Sequence, residues 1–273
     1  MPELPEVETI ARELRVRLIG RTITGAEIRW ARSIATPSPA EFEQRVIGRT
    51  VQAIGRRGKF LLLHLSGGAT LLVHLRMSGQ LLLAPRLSPS EKHVRVVLTL
   101  DDGSTLRFQD QRKFGRMWLV RDPQVVLGGL GPEPLAKDFT LDVFVRLIER
   151  RSGMLKPLLL NQSFLAGLGN IYADEALFRA RLHPRRKANS LNEDEIARLY
   201  RAIRQVLGEA ISGRGTTFDG VYRRVNGDSG GFQESLLVYG RTGEPCRECG
   251  TSIERIVLGG RGTHFCPHCQ PAP

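Results

Sequence analysis

Two Cys-x2-Cys pairs near the end of the chain constrain its fold more than any other feature of the sequence. All four cysteines of this 273-residue protein belong to these pairs: Cys246, Cys249, Cys266 and Cys269. Two such pairs, sixteen residues apart here, are typical of one zinc ion held by four thiolates, and four protein ligands make the site structural. The metal stabilises a short hairpin that has few apolar residues to pack. The alternatives are a pair of disulfides or an iron centre. A site in which His264 or His268 replaces one thiolate is a further alternative.

The amino terminus has the composition of a helix start and an unusual second residue. Its sequence, M-P-E-L-P-E-V-E, precedes apolar residues at helical spacing up to Leu18, and Gly20 ends the pattern. Removal of Met1, which a small second residue permits, would leave a free secondary amine on Pro2. A retained Met1 would instead acylate this nitrogen and block it.

A free Pro2 amine would be a nucleophile. An α-amino group has a pKa of about 7.8 against about 10.4 for lysine, so roughly a few hundredfold more of it is neutral at pH 7. Attack on an aldehyde carbon would give an iminium ion without an N–H proton to lose, which suits elimination chemistry. Glu3 and Glu6 lie within one turn and are candidates for proton transfer. The alternative is that these residues are ordinary helix openers.

The charge balance predicts a polyanionic partner. Lys and Arg outnumber Asp and Glu by 40 to 28, which gives a formal net charge of +12 at pH 7. Nucleic acid fits this excess, and anionic membranes or ribosomal RNA are alternatives. No run of about 18 apolar residues and no charged-then-apolar leader is present, so we expect a cytoplasmic protein without membrane association. The clustered cysteines also fit a reducing compartment.

Residues 22–120 have the pattern of a β-sandwich. Eight short apolar or alternating runs are separated by turn signals such as Ser66-Gly67-Gly68 and Asp101-Asp102-Gly103. Strands this short and close together predict two packed sheets, with the first helix against them. The segment 85–91, with its prolines and serines, is predicted to be a surface loop.

The pattern changes after residue 121, and we predict four segments. These are a β-sandwich domain at 1–121, a linker at 122–138, a helical domain at 139–235 and a zinc finger at 236–273. Helical periodicity predicts helices at 141–150, 155–160, 173–180 and 193–211, the last with Ser190 and Glu193 in capping-box spacing. Residues 212–234 are rich in Gly and Arg and are predicted to form a loop. Leu236 begins a run typical of a strand.

Three motifs combine glycine with basic or polar residues. The turn Gly55-Arg56-Arg57-Gly58-Lys59 and the segment Gln111–Arg116, in which Phe114 lies among three cations, suit contacts to phosphates and bases. Gly167-Leu168-Gly169-Asn170 precedes a helix and suits a phosphate, and its turn reads as a helix-turn-helix variant. Arg261 is expected at a hairpin tip, where it also suits a phosphate. Plain solvated turns are the alternative at each position.

Taken together, these motifs resemble one protein family over the whole chain. They occur in the order P-E-L-P-E-V-E, G-R-R-G-K, H-L-R-M-S-G, Q-R-K-F-G, G-L-G-N-I-Y-A-D-E, V-Y-G-R-T-G-E-P-C and the four-cysteine finger. The chain resembles the bacterial formamidopyrimidine-DNA glycosylases, bifunctional enzymes that repair oxidised purines. The resemblance implies an α+β fold, with an N-terminal β-sandwich, a helix-two-turn-helix domain and a zinc-finger hairpin.

The resemblance also implies roles for individual residues. Pro2 corresponds to the Schiff-base nucleophile and Glu3 to the general acid and base beside it. Lys59 corresponds to the lysine that contacts the lesion and supports β-elimination, and Arg261 to the finger arginine of phosphate binding and δ-elimination. Further DNA contacts are implied for seven residues: Met77, His93, Arg112, Phe114, Arg151, Lys156 and Asn170. Met77, Arg112 and Phe114 would fill the gap left by the extruded base.

The implied function is a DNA glycosylase and abasic-site lyase of base excision repair. It would bind damaged double-stranded DNA as a monomer, flip out 8-oxoguanine or formamidopyrimidines, and cut the strand by β,δ-elimination. Segment 216–232, which closes over the everted base in the family, is unusually rich in arginine here. An endonuclease VIII-like enzyme for oxidised pyrimidines is one alternative, but P-E-L-P-E and the Met77, Arg112 and Phe114 set argue against it. A non-catalytic zinc-ribbon DNA-binding protein is the other.

Overall fold

A computed structural model describes residues 1–85, 92–218 and 222–273. The chain divides into two compact units, of which the first comprises Met1–Gly128 with Gly213–Gln233 and the second Gly129–Ser212 with Glu234–Pro273. The first division falls inside the predicted linker. Residues 213–233, which the sequence placed with the helical domain, belong to the first unit. The predicted surface loop at 85–91 lies, apart from Pro85, outside the described residues.

The first unit is a β-sandwich with three helices. Its helices are α1 (Leu4–Leu18), α2 (Pro39–Val46) and α3 (Gln124–Leu127). Its strands are β1 (Ile23–Ile28), β2 (Ile34–Thr36), β3 (Val51–Arg57), β4 (Phe60–Leu65), β5 (Ala69–His74), β6 (Gly79–Ala84), β7 (Val94–Leu100), β8 (Thr105–Asp110) and β9 (Arg116–Val120).

The strands form the two predicted sheets. One has the order β1-β7-β8-β6 and the other β2-β9-β5-β4-β3, and all described neighbours are antiparallel except β2 and β9. The sandwich with a leading helix is thus confirmed. Strand β2 and helix α2 were not predicted, because three residues are too short to show alternation. A recognisable signal did precede α2, where Ser38 caps the helix by accepting from the Glu41 N–H (3.4 Å) and Pro39 is its first residue.

Helix α1 packs its apolar face into the core of this unit. The predicted stripe is fully buried, with Val7, Ile10, Ala11, Leu14 and Leu18 each at most 1% exposed. Each of these side chains except that of Ala11 contributes on the order of 1.5–3 kcal/mol by burial. Tyr222 and Val225, from the described part of residues 213–233, belong to the same core.

The second unit is helical and carries a β-hairpin. Its elements are α4 (Leu141–Ile148), α5 (Leu155–Leu160), α6 (Asn170–Arg179), α7 (Glu193–Ser212), β10 (Glu254–Leu258) and β11 (Arg261–Phe265). All four predicted helices are present. The cap of α7 is Asn192 rather than Ser190: its Oδ1 accepts from the Glu195 N–H (2.9 Å), and Glu195 Oε2 accepts from the Asn192 N–H (3.0 Å). Among the described residues, no helix has the length and apolar character to cross a membrane.

The strand predicted to start at Leu236 is wrong. The backbone amides of Leu237, Val238 and Tyr239 donate instead to the carboxylate of Glu175 on α6, at 2.9 Å for the shortest contact of each. Since these donors are engaged by a side chain, they cannot form a strand ladder. The apolar character that suggested a strand has a different cause, because Leu236 and Val238 are buried core residues.

Candidate active site, DNA-contacting residues and zinc centre

The amino terminus of α1 is buried and tightly held. Glu3 and Glu6 are 2% and 1% exposed. The Glu3 N–H donates to Glu6 Oε2 (2.7 Å), and the Thr216 N–H donates to Glu6 Oε1 (2.8 Å). Glu6 therefore accepts hydrogen bonds from two backbone amides and connects the terminus to segment 213–233. This structural role argues against the proton transfer that the sequence suggested for Glu6.

Charged groups of both signs surround the terminal amine. Burial lowers the pKa of the Met1 amine, and the nearby cations Lys59 and Arg112 lower it further, while Glu3 and Glu6 oppose the shift. An amine in this place is biased towards its neutral, nucleophilic form. Three predicted site residues of the first unit thus lie close enough to the terminal amine to shift its pKa: Glu3, Lys59 and Arg112.

Lys59 is held in place by the β3–β4 turn. It is only 5% exposed and follows Gly58, whose φ of +56° is in the left-handed region that favours glycine. The Arg56 guanidinium donates to the Gly58 carbonyl (3.0 Å) and to Glu8 Oε2 (3.2 Å), which ties this turn to α1. Burial alone would raise the pKa of Glu8, but the hydrogen bond from Arg12 and the charge of Arg56 lower it.

Met77 lies half-buried in the turn between β5 and β6. Arg76, with a φ of +53°, donates its backbone N–H to His74 Nδ1 (3.0 Å). Burial lowers the pKa of His74 to about 3, and the charges of Arg76 and Lys59 add to this shift. The imidazole is therefore neutral. Its unprotonated Nδ1 accepts the hydrogen bond from Arg76 and so fixes the turn that carries Met77.

We expect this neutral His74 to make the protein less stable in acid. Its pKa is 6.5 in the unfolded chain and about 3 in the folded one, so stability is lost as the pH falls from 6.5 towards 3. At pH 4.5 the loss from this residue is about 2–3 kcal/mol. Urea unfolding at pH 7 and pH 4.5 should show a loss larger by that amount in the wild type than in His74→Gln. Equal losses would contradict the assignment.

The remaining predicted DNA contacts of the first unit are accessible. Phe114 is 49% exposed, and the Arg112 guanidinium lies 5.1 Å from the centre of its ring. His93 is half-buried with a φ of +80°, and its Nδ1 lies 3.2 Å from the Arg95 guanidinium. A cation stacked on an exposed aromatic ring is suited to contacts with bases and phosphates.

The structure corrects the prediction that Lys156 contacts DNA. Its side chain is completely buried, and Nζ donates to Asp174 Oδ1 (2.5 Å) and to the Asn170 carbonyl (2.8 Å). A lysine in this buried ion pair cannot reach a phosphate without breaking it. Asp174 Oδ2 in turn accepts from the His264 N–H (2.9 Å), so the pair links α5 and α6 to β11.

Asn170 and Arg261 lie on neighbouring elements of the second unit. Asn170 is the first residue of α6, and its Nδ2 donates to the Gly262 carbonyl (2.9 Å). Gly259 and Gly260, with φ of +54° and +72°, form the two-residue turn before Arg261, which is exposed. A helix amino terminus beside an exposed arginine suits an anion.

Arg151, the last predicted contact, is also exposed. It follows α4, and its guanidinium lies 6.0 Å from the centre of the Phe164 ring. A planar cation that rests on an aromatic face keeps its outer edge available for a phosphate.

The four cysteines form a site that fits zinc. Their Sγ atoms lie within 4.8 Å of one another, with 4.0 Å between Cys246 and Cys269 and 3.5 Å between Cys249 and Cys266. Tetrahedral coordination at a Zn–S distance of about 2.3 Å places sulfur atoms about 3.8 Å apart. None of the four cysteines forms a disulfide, so the disulfide alternative is wrong. His264, which contacts Asp174, and His268 lie outside this metal-binding group.

Sequence reasoning did not single out Asp174 and Glu175 as positioning residues. Both are at most 1% exposed, and they connect α6 to β11 and to residues 237–239. The signal was present as two acidic residues within Y-A-D-E-A-L-F, a helical segment that is buried throughout. Buried carboxylates of this kind need hydrogen-bond donors. Backbone amides supply them to both residues, and Lys156 Nζ is a further donor to Asp174.

Comparison with known proteins identifies the family. Family models match residues 1–117 (formamidopyrimidine-DNA glycosylase N-terminal domain), 130–220 (the H2TH domain of the same family) and 243–272 (a zinc finger found in FPG and IleRS). A formamidopyrimidine-DNA glycosylase of Herpetosiphon aurantiacus is 52% identical over 99% of this chain and 100% of its own length. The chain belongs to the formamidopyrimidine-DNA glycosylase family.

Other relatives and solved structures agree with this assignment. The enzyme of Heliobacterium modesticaldum is 51% identical over 99% of this chain and 100% of its own length. A crystal structure of wild-type Lactococcus lactis Fpg (MutM) with N7-benzyl-Fapy-dG DNA matches with a TM-score of 0.93 and 39% identity, covering 99% of this chain and 100% of that one. As a family member, this glycosylase is a DNA repair enzyme that binds DNA and has one structural zinc ion.

Proposed function

We propose that this glycosylase excises oxidised purines from duplex DNA and then cuts the strand through a Schiff base on Pro2. The observation that carries the proposal is the buried Pro2 next to Glu3, with Lys59 and Arg112 close enough to act on the terminal amine. Burial and the two cations favour a neutral amine, and the same cations suit the phosphates of a bound strand. Removal of Met1 is a condition of this chemistry.

The proposed reaction follows from the chemistry of a secondary amine. Pro2 attacks C1′ of the flipped-out nucleotide, the bond from C1′ to the base breaks, and the sugar ring opens to leave an iminium ion. Removal of a C2′ proton then breaks the C3′–O bond, and removal of a C4′ proton in a second elimination breaks the C5′–O bond. In each elimination the phosphate leaves with the bonding electrons. Glu3 exchanges the protons, Lys59 supports the first elimination, and Arg261 binds phosphate for the second.

The remaining predicted contacts hold the distorted duplex. Extruding a nucleotide costs a few kcal/mol of stacking and pairing, which the side chains that enter the gap and the phosphate contacts offset. Met77, Arg112 and Phe114 take the first role, and His93, Arg151 and Asn170 take the second. We also propose, as the family resemblance implies, that the protein is a monomer and acts on DNA in the bacterial cytoplasm.

Substrate preference tests the proposal. Wild-type protein should form borohydride-trapped adducts with duplexes that contain 8-oxoguanine or formamidopyrimidine, and should leave phosphates on both sides of a one-nucleoside gap. Excision from a matched duplex with an oxidised pyrimidine should be slower. Faster excision of the pyrimidine would favour the endonuclease VIII-like alternative, and binding without any adduct would favour a non-catalytic DNA-binding protein.

A further inference from the structure

We infer that Asp110 is a positioning residue that holds together the loops carrying Met77, Arg112 and Phe114. The inference rests on the proposed function, which gives these three side chains their place in the gap left by the extruded base. They come from two separate turns, Met77 before β6 and the other two after β8. Side chains that must enter one gap together need a connection that fixes one turn against the other.

The Asp110 carboxylate provides this connection. Asp110 is the last residue of β8 and is 1% exposed. Its Oδ1 accepts from Ser78 Oγ (2.5 Å) and from the Arg112 N–H (3.2 Å), and its Oδ2 accepts from the Gly115 N–H (2.7 Å). Ser78 Oγ also accepts from the Arg112 N–H (3.0 Å). One carboxylate and one hydroxyl therefore bind the residue after Met77 to both ends of the segment that presents Arg112 and Phe114.

The Asp110 backbone ties in a third segment. Its N–H donates to the His93 carbonyl (3.0 Å), and its carbonyl accepts from Arg95 Nε (2.8 Å). The register between β7 and β8 shifts between Val94 and Val96, which places Arg95 in a bulge. His93, another proposed phosphate contact, is thus fixed to the same residue.

The loop after β8 is built to stay close to this carboxylate. A Cβ at Gly115 would lie 2.3 Å from Phe108 Cζ and 3.1 Å from Asp110 Oδ2, so a larger residue could not approach in this way. On the other side, Lys113 has a φ of +60°, and its Nζ lies 4.1 Å from the centre of the Trp30 ring. An uncommon backbone conformation persists only where its surroundings determine it.

These contacts point to preorganisation as the role of Asp110. A buried carboxylate is unfavourable unless donors satisfy it, and here the donors are Ser78 and the backbone of the loop itself. Binding is tighter and chemistry faster when inserted groups are already ordered before the ligand arrives. Asp110 acts in this way through Met77, Arg112 and Phe114 and has no contact with the reacting sugar in the proposed mechanism.

Two substitutions and a matched control test the inference. Asp110→Asn keeps the size of the side chain but replaces one carboxylate oxygen by an NH2 group. That group would face at least one of the present donors, which are Ser78 Oγ and the N–H groups of Arg112 and Gly115. Ser78→Ala removes only the hydroxyl that links the two turns. Ser104→Ala is the control, because Ser104 Oγ donates to Asp102 Oδ1 (2.7 Å) in an exposed turn. Each protein is assayed on an 8-oxoguanine duplex in single turnover and by borohydride trapping on a single strand with an abasic site.

The two substrates separate positioning from folding. A single strand has no partner base and no gap to fill, so both variants should trap it within about twofold of the wild type. Excision from the duplex should fall by about tenfold or more in Asp110→Asn and less in Ser78→Ala, since misplaced groups cost rate steeply. The control should match the wild type on both.

The inference would be wrong if the variants lost activity equally on both substrates, or if Asp110→Asn and Ser78→Ala excised from the duplex at the wild-type rate. Neither result would affect the proposed function. A fluorescent base analogue opposite the lesion gives a second readout, since its unstacking by the inserted side chains should be weaker in both variants. A wild-type protein that forms no adduct on either substrate would overturn the proposed function and the inference with it.

Discussion

Removal of the zinc ion should unfold the hairpin at 246–269 and abolish specific DNA binding. The core at the metal site is small. In the part of the chain that the structure describes, Phe178, Val238 and Ile253 are the buried apolar residues clustered with Cys246, Cys266 and Cys269, and Leu237 is partly buried against them. Structural zinc contributes about 10–16 kcal/mol of apparent binding energy in isolated fingers, far more than so few side chains. Without the metal, the contact of Asp174 with the His264 N–H holds only an unfolded segment, and Arg261 loses its position.

Hydrogen exchange and DNA binding measure this effect. After dialysis against a strong chelator, the amides of β10 and β11 should lose protection, while those of β3, β4 and β5 should keep it. Affinity for a duplex with an abasic-site analogue should fall by at least about a hundredfold at constant salt. Mock-dialysed protein and protein reconstituted with zinc are the controls. Unchanged protection of the hairpin in metal-free protein would show that the cysteines are not a structural metal site.

Replacing Glu3 by glutamine should nearly stop base excision. Glutamine keeps the size and the hydrogen-bonding oxygen of Glu3 but cannot carry a proton. Proton transfer by a positioned side chain contributes about 10²–10⁴-fold, so single-turnover excision of 8-oxoguanine should fall by a factor in that range. Cutting at a preformed abasic site should fall less, because no bond to a base has to break.

A matched variant separates this chemistry from a general effect of charge. Glu41 lies on α2, where it pairs with Arg45 (3.2 Å) and is half-exposed, and Glu41→Gln should excise at the wild-type rate. The affinity of Glu3→Gln for the lesion duplex should stay within about twofold, as expected for a group that acts in the transition state. Full excision activity in Glu3→Gln would remove this residue from the mechanism.

The sequence predicted what local patterns encode. The apolar stripe of α1, eight strands of the sandwich, four helices and the four-cysteine site all follow from periodicity and spacing, and the structure contains them. Strand β2 was missed because three residues show no alternation. Its pairing with β9 depends on a parallel contact across the sheet, Ile34 with Met117, that no local pattern reveals.

The rest of the candidate site depends on tertiary contacts between distant residues. Lys156 carries a charge that suits a phosphate contact. In the structure it forms a buried ion pair with Asp174, eighteen residues later in the chain. Asp110 directly precedes the basic segment Gln111–Arg116, yet its proposed role depends on its contact with Ser78, thirty-two residues earlier in the chain. In both cases a charged residue holds neighbouring elements in place instead of binding a ligand. The sequence alone does not distinguish these two roles, but the contacts in the folded chain do.

The most direct test of the account is the site of the covalent bond. Wild-type protein is trapped with borohydride on an 8-oxoguanine duplex, the DNA is digested to its sugar remnant, and peptides are mapped by mass spectrometry. If Pro2 is the nucleophile, Met1 should be absent and the remnant should lie on the nitrogen of Pro2. Pro2→Gly, whose amine is no longer fixed by a ring, should form at least about a hundredfold less adduct. A remnant on Lys59, or full trapping by protein that retains Met1, would contradict this role of Pro2.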